Sequence, residues 1–132
     1  MQEMGGRERL EQKRPYVDVP AMKIVLLQDD FFPEAKGGAA VVVLNLANEF
    51  SSRGHRVMVI TSTQDKQKEG ADSVLGTSVY RVYSNYHPRW RAYLSLYNPR
   101  AVRPAKIILD KMGPDVVHVH NVHQHLSYYM IK

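Results

Sequence analysis

Residues 22–54 read MKIVLLQDDFFPEAKGGAAVVVLNLANEFSSRG, and the order of residue types in this stretch decides the fold. Ile24-Val25-Leu26-Leu27 is an unbroken apolar run, as expected of a central parallel strand covered on both faces, and it predicts a first strand over Met22–Gln28. From Gly38 the period changes to that of a helix. Ala39, Val43, Leu46, Ala47 and Phe50 fall on one stripe and Asn45, Asn48, Glu49 and Ser52 on another, which predicts a helix over 38–53 packed on a sheet. Gly54 is a suitable stop for it. A buried strand that leads into a glycine pair, Gly37-Gly38, at a helix start is one way to build an anion site, because unpaired N–H groups and the helix dipole face the same point. Glycine also permits close backbone approach and φ values that other residues avoid; the plainer alternative is a turn.

Outward from this unit, His55–Thr61 predicts a second strand that completes a right-handed strand, helix, strand crossover. The polar stretch Thr63–Gly76 reads as a surface loop and Thr77–Val82 as a third strand. From Tyr83 to Arg103, Tyr83, Tyr86, Trp90, Tyr93 and Tyr97 are interleaved with His87, Arg89, Arg91, Arg100 and Arg103. Such a mixture suits base stacking, a membrane surface or a sugar platform, or an irregular segment whose rings cover a sheet edge while the arginines stay wet. Pro104 predicts a helix start or kink, with the helix ending at Gly113-Pro114. Asp115–Asn121 predicts a fourth parallel strand in which His118 and His120, at i and i+2, share one face. The carboxyl end of such a strand is where α/β sheets bind ligands. A further helical pattern begins at Gln124.

The composition bounds the chemistry. The chain has 132 residues, 44% of them hydrophobic, enough for one domain with its own core. Having no cysteine, it has no disulfide, thiolate zinc ligand or thiol nucleophile. No apolar run approaches the roughly 18 residues of a membrane span, and the start lacks the apolar core of a secretory signal. The expected location is therefore cytoplasmic, with peripheral contact at the inner face of the membrane through residues 83–103. Residues 1–21 are polar, carry four basic and four acidic side chains, and read as a flexible leader. The net charge of +5 thus resides in residues 22–132 and favours anionic partners.

Phe32-Pro33, Gly37-Gly38, Leu46-Ala47, Phe50, Gly54-His55, Val57, Val59, Thr61 and the run Pro114-Asp115-Val116-Val117-His118-Val119-His120-Asn121, taken in order, resemble the N-terminal, acceptor-side domain of family-4 (group 1) glycosyltransferases. The resemblance covers residues 22–132. It implies half of a GT-B architecture: an α/β, Rossmann-like three-layer domain with a mainly parallel sheet, apparently truncated, whose C-terminal donor-binding partner domain is absent. It also implies transfer of a sugar from a nucleotide-sugar donor to a sugar or lipid-linked acceptor, with retention of configuration and without a metal or cofactor. By the same resemblance Gly37 and Gly38 lie near the donor diphosphate. His120 contacts the donor sugar at the reacting centre, with Asn121 beside it. Asp29 and Asp30, after the first strand, are candidates for acceptor hydroxyls, the plainer reading being a solvated loop with a local turn residue. Without its partner domain the chain is expected to bind nucleotide-sugar weakly and to catalyse nothing measurable. It is also expected to self-associate through apolar surface near Val117 and Val119, its tail helical only against a partner.

Three rivals remain at this stage. His118, His120, His123 and His125 have the ligand type for a metal site, although His118 is a candidate for packing under the sheet and no acidic ligand lies beside them. A nucleic-acid module would rest on residues 83–103, which lack the register of a groove-reading element, so no nucleic-acid partner is expected. A non-catalytic nucleotide- or phosphate-binding domain is the third, and the first turn lacks the Gly-x-Gly-x-x-Gly of a dinucleotide fold.

Overall fold

In the computed structural model, which describes residues 18–131, the chain forms a five-stranded sheet in the order β3-β4-β2-β1-β5. The elements are β1 (Lys23–Gln28), α1 (Gly38–Ser52), β2 (Arg56–Thr63), β3 (Gly70–Val74), β4 (Thr77–Tyr83), α2 (Arg91–Leu96), α3 (Pro99–Met112) and β5 (Val116–Asn121). β1, β2, β4 and β5 are parallel, and only β3 runs against its neighbour. The result is the expected Rossmann-like three-layer α/β domain. The leader predicted for residues 1–21 lies outside the described residues except for its last four, which are exposed and irregular.

Alternation along the central strands divides the core in two. Ile24, Leu26, Val59 and Val79 face α1 through Ala40, Val43, Leu44 and Ala47. Val25, Leu27, Ile60 and Val82 face α3 through Ala101, Val102 and Ala105. β1 is apolar on both faces because each is covered, which is why its sequence shows no alternation. The buried stripe of α1 is turned slightly from the predicted one: Ala40 and Leu44 are buried, while Ala39, Leu46 and Phe50 are only half-buried.

Three expectations are corrected. The stretch 63–76 is not a plain loop. A 3-10 turn at Lys66–Lys68, whose Gln67 amide is capped by Asp65, leads into β3, and β3 pairs with β4 around the two-residue turn Leu75-Gly76. Both turn residues have positive φ (48° and 81°), the geometry whose twist suits a tight hairpin. Residues 83–103 are not irregular throughout. After a 3-10 turn at Pro88–Trp90 they form α2 and the first turn of α3. The helix begins at Pro99, a first position that has no need of an N–H, and Pro104 lies inside it. Finally, the tail is not an α-helix awaiting a partner. Leu126 and Met130 pack into the core on the α3 face, and Tyr128–Ile131 is a 3-10 turn.

Candidate functional site

The chain order explains where ligands can approach. From β1 the sheet grows one way through β2 and β4 and the other way to β5, so the order reverses between β1 and β5. A crevice opens at the carboxyl ends of the strands at such a switch point. Asp29 and Asn121 stand on its two sides, joined by a bond from the Asp29 amide to the Asn121 carbonyl (2.6 Å).

On the α1 side lies the helix N-terminus. Its first bond runs from the Val41 amide to the Gly37 carbonyl (3.2 Å), and no side chain caps the amides before it. No acidic residue lies in the first turn to neutralise the dipole. Gly37 has φ −71° and ψ 169°, ordinary extended backbone, so the expected need for unusual dihedrals is corrected. A Cβ built on Gly37 or Gly38 meets nothing within 4 Å. What the pair provides is open space above exposed N–H groups.

β5 lies against the other edge of the crevice. His118 is in register with Leu26, and a shift between Leu27 and Gln28 sets Gln28 beside Asn121, leaving His120 as the extra residue. The His118 and His120 rings stack at 6.0 Å with planes 21° apart, on the α1 side of the sheet. Both histidines are exposed, which corrects the reading of His118 as packed under the sheet. Gln28 is buried beside them, and its Oε1 has no hydrogen-bond partner.

Asp29 is not in a solvated loop. It is 2% exposed, and its carboxylate accepts the amides of Gln124 and Leu126, each at 2.8 Å. Its carbonyl accepts the Ser62 amide (3.1 Å) and the hydroxyls of Thr61 (3.1 Å) and Ser62 (2.6 Å). Burial raises the Asp29 pKa above the ordinary carboxylate range, and the two amides pull against that rise. With both oxygens engaged, Asp29 positions the segment 122–127. A second tie reaches the same segment from below: Asn98 Nδ2 donates to Ser84 Oγ (3.2 Å), and that hydroxyl donates to the His125 carbonyl (2.9 Å).

Asp30, by contrast, is exposed. With Glu34, Ser62, Thr63, Gln64 and His125 it lines an open pocket of about 160 Å³. His125 packs edge-on against Tyr86 (4.8 Å) and points Nε2 toward Asp30 (4.0 Å). Glu34 accepts from Lys68 Nζ at 2.9 Å, a contact that raises the Lys68 pKa. This collection of hydroxyls, carboxylates and an imidazole can exchange hydrogen bonds with a polyol. His118 and His120 stack on each other while His125 lies between Tyr86 and Asp30, and among the described residues no three His, Cys, Asp or Glu side chains converge on a metal position.

Sequence reasoning weighed His125 only as a metal ligand, and it did not find Ser84, Asn98 or buried Arg81. Arg81 donates through Nη2 to the Phe32 carbonyl and through Nε to Asp72 (3.4 Å), holding the loop that leads to the glycine pair. Its alternation with Val79 on the α1 face was the available signal.

Residues 36–131 match the family model described as Glycosyltransferase Family 4. The chain is also similar to an uncharacterized 42.6 kDa protein in the cps region of Klebsiella pneumoniae, at 26% identity over 76% of this chain and 30% of that protein. It thus spans under a third of that relative's length. With a family match that extends from the glycine pair to the end of the tail turn, the chain belongs to Glycosyltransferase Family 4.

Proposed function

We propose that this domain is the acceptor-side half of a retaining glycosyltransferase, and that it helps transfer a sugar from a nucleotide-sugar donor to a sugar or lipid-linked acceptor. The observation that carries this reading is the uncapped N-terminus of α1, with open space above Gly37 and Gly38. Departure of a nucleoside diphosphate gathers negative charge on phosphate oxygens, and fixed amides stabilise that charge without reorganising. His120 is proposed to contact the donor sugar, with Asn121 beside it. The pocket lined by Asp30 and His125 is proposed to receive acceptor hydroxyls. The donor is a substrate, and no metal or cofactor is invoked.

The family's second domain is proposed to supply the rest of the donor site, so this chain alone should bind donor weakly and turn over none. Titrating isotope-labelled chain with a panel of nucleoside-diphosphate sugars tests the reading by nuclear magnetic resonance. Weak, saturable shifts of the Gly38, Ala39 and Ala40 amides and of the His120 ring are expected, lost in Gly38→Val. Unmoved amides, or shifts confined to another surface, would remove the proposed site. Equal response to inorganic phosphate alone would favour a plain phosphate-binding domain.

A further inference from the structure

The apolar run of β1 ends at Gln28, which is 2% exposed although it carries a carboxamide. Among the described residues nothing donates to its Oε1, and that oxygen is shut off from solvent. Gln28 stands two positions after Leu26, which packs toward α1, so its side chain is on the α1 side of the sheet. Across the gap the register breaks: Leu27 pairs with Val119 and Gln28 with Asn121, so His120 is an extra residue opposite Gln28. A bulge of this kind re-aims the side chain it extrudes and is common beside active sites. The His120 ring lies on the same α1 side, stacked at 6.0 Å on the His118 ring with planes 21° apart. Both histidines are exposed, and stacked rings keep their N–H groups in plane, so the contact satisfies neither.

We infer that Gln28 is a positioning residue for His120: its Oε1 accepts a ring N–H of that histidine and so decides which ring nitrogen carries the proton. A buried carbonyl oxygen without a donor is destabilising, whereas the stack of two exposed rings contributes little, so the balance favours the His120 ring turning from His118 to Gln28. Neighbouring strands lie about 4.8 Å apart, a gap that an imidazole pivoting on its Cβ spans. With one N–H held, the other nitrogen of the neutral ring stands bare toward the crevice. It can accept a sugar hydroxyl but cannot donate to an ether or carbonyl oxygen. The site then selects donor sugars that present a free hydroxyl at that point. That selection rests on the proposed contact of His120 with the donor sugar, whereas the bond between Gln28 and His120 does not.

The test needs no donor. The chain is labelled with nitrogen-15 in its histidines and held at about pH 8.5, roughly two units above the ordinary histidine pKa, so that the rings are neutral. Two-bond proton–nitrogen correlation spectra then read which nitrogen of His120 is protonated. The ratio of its two tautomers is expected to differ about fivefold or more from that in the urea-unfolded chain, the bias that one hydrogen bond of ordinary strength gives. Gln28→Met, close in size but without a strong acceptor, should bring the ratio back to within about twofold of the unfolded value. Gln28→Glu, which keeps an acceptor oxygen, should preserve the bias, and so should His118→Ala. If circular dichroism shows the Met variant unfolded, Gln28→Ser, too short to reach the ring, replaces it. A wild-type ratio equal to that of the unfolded chain would overturn the proposal. So would a ratio unmoved by Gln28→Met, as when the Asn121 amide holds the oxygen, or one lost in His118→Ala. With no donor present these outcomes are separate from the donor titration, whose failure would remove the proposed sugar site and leave this bond standing.

Discussion

Removal of the Asp29 carboxylate tests how the crevice between β1 and β5 is held. The perturbation is Asp29→Ala, with Asp29→Asn as its milder partner. In the wild type the two carboxylate oxygens accept the Gln124 and Leu126 amides at 2.8 Å, and Leu126 is buried. Hydrogen bonds to a charged group contribute about 1.5–3 kcal/mol each, so two give a gross loss of about 3–6 kcal/mol. Against this stands the cost of burying the carboxylate, visible as its raised pKa. A net destabilisation of about 2–4 kcal/mol is therefore expected for Ala, and about 1–3 kcal/mol for Asn, which keeps one acceptor. Because the folded chain binds this proton more tightly than the unfolded one, the Asp29 contribution is greatest at acid pH. It falls as pH rises from the ordinary carboxylate pKa through the raised one, and the Asn variant should lack that decline. Urea unfolding followed by circular dichroism gives the energies, and hydrogen exchange gives the two amides. A loss for Ala below about 0.5 kcal/mol, with the Leu126 amide still protected, would refute the reasoning.

Gly38→Ala should leave thermal stability equal or raise it by about 0.5–1 kcal/mol, since alanine favours helix and its Cβ meets nothing; a loss in calorimetry would mean the space is already used. Arg81→Met should destabilise by about 1–3 kcal/mol in urea unfolding, because the Phe32 carbonyl loses its donor; an unchanged midpoint would show that the loop is held without it. The isolated chain should self-associate through β5, where Val116, Val117 and Val119 are 42%, 41% and 37% exposed. Val117→Lys with Val119→Lys should shift light scattering toward monomer, and a monodisperse wild-type monomer at high concentration would refute the idea.

The sequence carried the strand, helix, strand unit of residues 22–61 because each element has a strong period and a clean stop at Gly54. It carried β5 because Asp115–Asn121 combines β-branched residues with a Gly-Pro boundary. It hid β3, since Ala71, Asp72 and Ser73 are exposed on an edge strand and have no apolar alternation. Pro104 misled because a mid-helix proline has a cost that tertiary context can absorb, while Pro99 after Asn98 was the better start signal. Of the candidate site, the exposed glycine pair and the histidine pair were readable as local patterns. The roles of Asp29, Ser84, Asn98 and His125 were not, because each depends on partners far along the chain, and no local period encodes them.

The pairing of β1 with β5 also has a bearing on the order of folding. The bond from the Lys23 amide to Asp115 spans 92 positions, whereas β1 meets β2 about a third of that distance away. Contacts so separated in sequence form late, since the intervening chain must first lose its freedom. As the chain emerges from the ribosome, β1, α1, β2 and β4 can assemble while one side of β1 still waits. In that interval a highly apolar strand presents an unpaired edge to any extended segment nearby. Chaperone capture or misassembly at β1 should thus compete with productive folding until Asp115 arrives to close that side.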